Sequence, residues 1–346
     1  MRRGSLFIIL FVLIAAMIIG ATTLLRSQPA LEITVAADPL AEAWLREAAL
    51  AFNQSGATVG VGRRVRVNIS VRSDTAVLQQ TWTPNSHPVG WVPAWSSVAN
   101  ISRGSSVSAQ VAALSLARTP LVLMSFDSRV AEIPVLSWAG LQTAASTSVI
   151  NLAFSLPTNS VQGLGAVISA IADFHQTSIL SDAQLSNTAM RAWLAPLVES
   201  VPNFNTVGSN VAQYVAGPQG GTVDAAIASE SQWLLSLSTL SLKGVPRFAY
   251  PAFPVVFDFP FLILRSTTTT DDEVSAAQAF AAYLSADAQQ TRLEQFGLRP
   301  ALSEPLATST VFGPALQYGI AAALPAVQPV QLPSSSSLLA LNQLFR

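Results

Sequence analysis

The chain has 346 residues, with 18 Lys+Arg against 19 Asp+Glu, two His and no Cys. This balance leaves no basic footprint for nucleic acid. The missing cysteines exclude disulfides, thiolate metal sites, a cysteine nucleophile and a lipid-modified cysteine, and His87 and His175 are too few for a multi-histidine metal site. Charged residues make up 11% of the chain, against about 25% in ordinary soluble domains, so Ser, Thr, Asn and Gln must supply the polar surface. Half the residues are apolar and fall in spaced runs, which predicts a folded chain rather than a disordered one.

Residues 6–25 carry no charge, and a helix of that length spans about 30 Å, the thickness of a bilayer core. Arg2 and Arg3 precede the stretch, while Arg26, Glu32 and Asp38 follow it. The positive-inside rule then keeps the N-terminus in the cytoplasm and the main body outside, in a single pass. A cleaved signal peptide is the competing reading, with the small residues around Ala21–Thr23 as the cleavage site. Either reading exports the remainder.

The exported part exceeds the usual size of one hydrophobic core, which predicts two domains. LEITVAAD (residues 31–38) reads as a strand. The following helix has apolar positions at Leu40, Trp44, Leu45, Ala48 and Phe52 and stops at Gly56. RVRVNISVR, VGWVPAW and TPLVLMSF read as further strands. This alternation implies a largely parallel sheet with helices on both faces. VINLAFSLP (149–157) starts the middle portion, with helices from about Ser160 and over 182–200. DAAIASE (224–230) is a short strand leading into another helix, and residues 253–265 form one or two buried strands. Two helical segments follow Asp271, whose acidic neighbours suit a helix N-terminus. The end is Pro/Ser-rich, a tail or packing arm with one short apolar helix.

No assembled catalytic motif is present: GxSxG, GxxxxGK[ST], HExxH and GxGxxG are all absent. The glycines at 163 and 165 fit close packing at a helix start. Glu230 and Asp258 are the acidic groups from which a general acid/base pair could be drawn, and a lone carboxylate near a strand end is more often a hydrogen-bonding anchor. A more consistent signal is polar residues at the C-terminal ends of strands, where open α/β sheets bind ligands. These are Asp38, then Ser73 and Asp74, then Trp95, Ser96 and Ser97, then Asn159 and Ser160, then Glu230 and Ser231. Ordinary helix capping explains any one of them, and capping and ligand binding are not exclusive. Trp91 and Trp95 suit either ligand stacking or the core.

Five stretches in order carry a resemblance: VGWVPAWSSVANI, PVLSWAGLQTAA, SLPTNSVQGLGAVISAI, AAIASESQWL and AQAFAAYLSADAQQTRLEQFGLRPA. Over residues 31–301 the chain resembles bacterial extracellular solute-binding proteins of the type II periplasmic-binding fold. It is similar to the group sometimes fused to a von Willebrand factor A domain. The resemblance implies an α/β fold of two lobes, each a mostly parallel sheet flanked by helices, behind an N-terminal anchor or signal segment at 1–28. Lobe 1 would comprise 29–126 and 247–301, lobe 2 would comprise 127–246, and 302–346 would be a tail. It further implies a non-enzymatic receptor that closes on a small polar solute and delivers it to an ABC permease. The ligand contacts implied are Asp38, Ser73, Ser96, Ser97, Asn159, Ser160, Glu230 and Tyr250, with no cofactor and no metal. A binding-fold module that has lost transport, acting as an envelope scaffold or sensor partner, is the alternative. A hydrolase on the same fold is a third.

Overall fold

The computed structural model describes residues 29–331 apart from 61, 80–81, 102–105, 148–149 and 327, together with residues 11, 13–15 and 341. The expected membrane helix at 6–25 therefore lies almost wholly outside the described residues. Among the described residues no helix is long and apolar enough to cross a membrane.

The first half begins with β1 (Leu31–Ala37), which alternates buried and exposed residues before becoming wholly buried. A 3-10 turn leads into α1 (Glu42–Ser55), which buries Trp44, Leu45, Ala48 and Phe52 on one face. Gly56 ends α1 at φ 71°, a conformation that glycine reaches without steric cost. Then come β2 (Thr58–Val59), β3 (Arg63–Val71), α2 (Asp74–Gln79), β4 (Gly90–Val92), α3 (Ser96–Ile101) and β5 (Ser108–Ala113). Pro93 follows β4 directly and has no N–H to continue the ladder.

The second half is built on β6 (Ala117–Phe126), a ten-residue spine buried almost throughout. Around it lie α4 (Trp138–Ser146), β7 (Leu152–Ala153), α5 (Val161–His175), α6 (Thr188–Glu199) and α7 (Val211–Ala216). They are followed by β8 (Ala225–Ser229), α8 (Glu230–Ser241), β9 (Pro246–Ala249) and β10 (Val256–Phe257). The chain then returns to the first half as β11 (Phe261–Arg265) and α9 (Asp271–Ser285), and re-enters the second as β12 (Arg299–Pro300). The expected strand at 149–157 is only two residues long, because its edge position offers one partner, β8.

The first sheet runs β2-β3-β1-β4-β11-β5 and the second β10-β6-β8-β7, with β9 and β12 also on β6. Both are mixed. Parallel pairing is confined to β3-β1-β4 and β7-β8, while β11 runs antiparallel to both its neighbours and β6 antiparallel to all of its own. The reason is topological: β11 enters the first sheet from the second rather than through a helical crossover. Beneath this sheet, Phe52 of α1 meets Phe280 and Tyr283 of α9 edge-on, and Phe280 meets Phe261 of β11. Trp91 and Trp95 are both core residues, packed edge-on against Trp82 and Phe257.

The halves exchange chain at residues 114–116 and 258–260, and once more between α9 and β12. The Leu116 N–H donates to the Phe259 carbonyl at 3.0 Å, and the Asp258 and Phe259 N–H groups donate to the Ala94 carbonyl at 2.9 and 3.1 Å. Phe259 is fully buried at φ 44°, a conformation a bulky residue adopts only where surrounding packing imposes it.

α5 is buried on every side from Val161 to Ala172, as befits a helix apolar all round. Its start lies against the segment after β7 so closely that a Cβ on Gly163 would sit 2.0 Å from the Ser155 carbonyl oxygen. Gly163→Ala is therefore expected to cost about 3 kcal/mol in denaturant unfolding. Gly221→Ala, where a Cβ would meet nothing within 4 Å, should stay within about 0.5 kcal/mol of wild type.

Candidate functional site

A cleft of about 280 Å³ opens where the halves face each other. The first half contributes Asp38, Pro39, Leu40, Ala43 and Ser73, at the C-terminal ends of β1 and β3. The second contributes helix starts: Asn159 to Gln162 at α5, Ser209 and Asn210 at α7, and Ser231, Gln232 and Leu235 on α8. Phe296 completes the lining.

Local chemistry fixes each edge. Ser160 caps α5 by accepting from the Gln162 N–H at 3.2 Å, and Asn210 caps α7 by accepting from the Gln213 N–H at 3.1 Å. Gln162 ties the three helix starts together. Its Oε1 accepts from the Ser229 N–H at 2.8 Å, just before α8, and its Nε2 donates to the Ser209 carbonyl at 3.0 Å. Gln232 donates to the same carbonyl at 3.1 Å. The Ser231 N–H is held by the Thr119 hydroxyl of β6 at 3.0 Å.

On the opposite wall, Asp38 accepts from the Leu40 N–H and from the Asp74 N–H, both at 3.0 Å. Burial pushes the Asp38 carboxyl up to about 6, against the two backbone donors that favour its charge. Among the described residues, no Lys, Arg or His lines the cleft. Its polarity is that of hydroxyls, amides, the Asp38 carboxyl and the N-terminal ends of α5 and α8, where the helix dipoles favour an electron-rich guest.

Of the eight expected contacts, Asp38, Ser73, Asn159 and Ser160 line this cleft. Ser96 and Ser97 are half-buried at the start of α3, where the Ser96 N–H donates to Asp258 at 2.7 Å. Asp258 is thus an anchor for α3. Glu230 and Tyr250 belong to a different assembly. Glu230 is fully buried and paired with the equally buried Arg299, whose Nε and Nη2 reach its two oxygens at 2.6 and 2.8 Å. The remaining Arg299 donors go to Glu304 at 2.8 Å and to the carbonyls of Ala322 and Ala321 at 2.9 and 2.5 Å. The Tyr250 hydroxyl donates to Glu230 and accepts from the Ala321 N–H. Burial and the Glu230 charge both hold the Tyr250 phenol above its usual range. Burial alone would lower the Arg299 guanidinium, but its hydrogen bonds and charge contact with Glu230 hold it above its ordinary value.

This cluster fastens the segment after β12 onto the second half and sets the start of α8, one residue before Ser231. Gln162, Ser209, Asn210, Gln232 and Phe296 carried no strand-end signal, since they reach the cleft from helix starts and a distant turn. Asn210 was findable as a cap ahead of VAQYV.

The description "Bacterial extracellular solute-binding protein" belongs to a family model that matches residues 33–299. Among curated proteins, no sequence matches the chain. Solved structures with the same fold include MalE of Bdellovibrio bacteriovorus bound to maltotriose, at 14% identity and TM-score 0.60, covering 91% of this chain and 93% of that one. Iron-bound HitA of Pseudomonas aeruginosa is similar at 16% identity and TM-score 0.56, covering 91% and 99%. The sulfate-binding protein SubI of Mycobacterium tuberculosis H37Rv is similar at 16% identity and TM-score 0.54, covering 89% and 95%.

Removing one partner of the buried pair leaves an uncompensated charge. Glu230→Met and Arg299→Met are each expected to destabilise the fold by about 3–5 kcal/mol. The double variant should lose clearly less than the two losses added, as a double-mutant cycle in denaturant reads directly.

Proposed function

We propose, because the chain belongs to the family of bacterial extracellular solute-binding proteins, that it is an extracytoplasmic receptor which captures one small polar solute in this cleft. The observation that carries the reading is the lining itself. It is drawn from both halves, with strand ends on one side and helix starts on the other. A guest touching both walls stabilises the approach of the halves about residues 114–116 and 258–260, because only the closed arrangement makes both sets of contacts.

The two halves correspond to the two lobes of that reading. Asp38, Ser73, Asn159 and Ser160 are its ligand contacts, joined by Gln162, Asn210, Ser231 and Gln232. Ser96, Ser97, Glu230 and Tyr250 act one layer behind them, holding the hinge side and the start of α8. A lining without Lys, Arg or His favours an uncharged guest rich in hydroxyl or carbonyl oxygen over a multiply charged anion. Capture needs no covalent step. Delivery to an ABC-type importer, with the body held at the outer membrane face by residues 6–25, completes the proposal.

A scaffold or sensor role without transport has one observation in its favour. A second groove, of about 380 Å³, runs along α8 between Leu234, Leu235, Leu237, Val311, Pro314 and Tyr318. Ser238, Ser241, Thr310 and Gln317 share its lining, a mixture of apolar and polar groups such as a protein contact surface presents.

The test is a thermal-shift screen of the full chain against sugars, amino acids, peptides, polyamines and oxyanions. A solute at 100 times its Kd stabilises by about 2.7 kcal/mol. Asn159→Ala, at an exposed position, should leave the unliganded melt unchanged and weaken binding by about 0.5–1.5 kcal/mol. A folded chain that no solute class shifts would speak for the scaffold role instead.

A further inference from the structure

Three carboxylates, Asp38 and Asp74 buried and Asp258 half-buried, lie in one chain between the cleft and the place where the halves exchange strands. Asp38 is 2% exposed and Asp74 is fully buried, and both are embedded in the ends of the first sheet. The Asp74 N–H donates to Asp38, the Ala94 N–H donates to Asp74 Oδ2 at 2.9 Å, and the Ala94 carbonyl accepts from the Asp258 N–H. Asp258 in turn accepts from Ser96. Among the described residues none of the three has an ion-pair partner.

The three are not equivalent. Both oxygens of Asp38 accept backbone N–H groups, as an ionised carboxylate prefers. Asp74 has only one oxygen so occupied, and its Oδ1 is buried with no hydrogen-bond partner. An ionised Asp74 would place an unsatisfied negative oxygen in the interior, within reach of two further carboxylates. Burial first, then the Asp38 charge and more weakly that of Asp258, raise the Asp74 carboxyl well above its ordinary value, outweighing the backbone donors at Ala94 and Trp95 that favour its charge. The elements packed around it offer no compensation. α2 carries no charge other than Asp74, and neither β4 nor the 3-10 turn after Asp38 carries any. Asp258 is the acid on the crossover. Arg72, at the end of β3, stacks over Trp82 at 4.4 Å.

We propose that Asp74 is held as a neutral carboxylic acid at neutral pH, a proton-binding latch between the cleft floor and the strand exchange. Deprotonation sets a third negative charge among the ends of β1, β3 and β4 and the 258–260 segment, and loosens the junction on which closure turns. The link to closure rests on the reading of the cleft as a binding site; the bound proton does not.

A carboxyl raised in the folded state favours folding fully below its unfolded value. That advantage is lost progressively as pH rises toward the folded value. In reversible unfolding of the full chain from pH 5 to 7, the wild-type folding equilibrium should fall about tenfold per pH unit relative to Asp74→Asn, a neutral near-isostere. Curves that run parallel over this range overturn the proposal. Should the variant not fold, infrared spectroscopy of the wild type at pH 7.5 decides: a protonated-carboxyl band is expected, and its absence overturns the proposal. Neither measurement uses a solute, so the outcome stands apart from that of the cleft.

Discussion

The structure depends on a narrow junction at which two sheets exchange chain. Three backbone hydrogen bonds there, from Leu116 to Phe259 and from Asp258 and Phe259 to Ala94, tie the two crossing segments to each other and the 258–260 segment to the turn after β4. Phe259 is held there, fully buried, in a left-handed backbone conformation. Such strain persists only where surrounding packing outweighs it. Everything on the cleft side follows from this placement. The C-terminal ends of β1 and β3 and the starts of α5, α7 and α8 face one another because the chain passes between their sheets at this point.

A chain with so few charges places them where they act on architecture. The fully buried Arg299 and Glu230 and the half-buried Tyr250 form a group that also captures Glu304 and the backbone at Ala321 and Ala322. A buried ion pair contributes little net stability over an apolar replacement, but it penalises any arrangement in which its members are separated. Here that penalty fixes the segment after β12 against the second half and the start of α8 beside the cleft. The described lining of the cleft is left to hydroxyls, amides and the single carboxyl of Asp38. That division accounts for a polar site with no cationic side chain.

The sequence made the first half largely legible. The alternation in residues 31–37, the apolar spacing of α1 and the glycine at 56 each report a local rule, and local rules survive folding. The cap at Ser160 and the close packing at Gly163 were visible for the same reason. Two features were not. The run from Phe253 to Arg265 has no periodicity to show that β10 and β11 serve different sheets, since both are buried and only the turn at 258–260 separates them. Glu230 sits at a strand end like the cleft residues, yet its side chain turns inward to Arg299, which lies 69 positions away in sequence. Direction at a strand end is set by the distant partner, and a single sequence does not reveal it. Gln162 was hidden similarly, as an amide inside an apolar helix whose importance lies in the loops it joins.

The central claim is that the halves close on a guest about the 114–116 and 258–260 segments. The chain contains no cysteine, so spin labels can be placed uniquely at Ser55→Cys and Ser238→Cys, exposed positions in the two halves. Pulsed electron spin resonance on the labelled full chain would give the inter-half distance alone and with each solute class. The account predicts one distance population without solute and a shift to a second, distinct one with a single class of uncharged polar solute. A distance distribution that stays fixed with every solute, in a chain that remains folded, contradicts it.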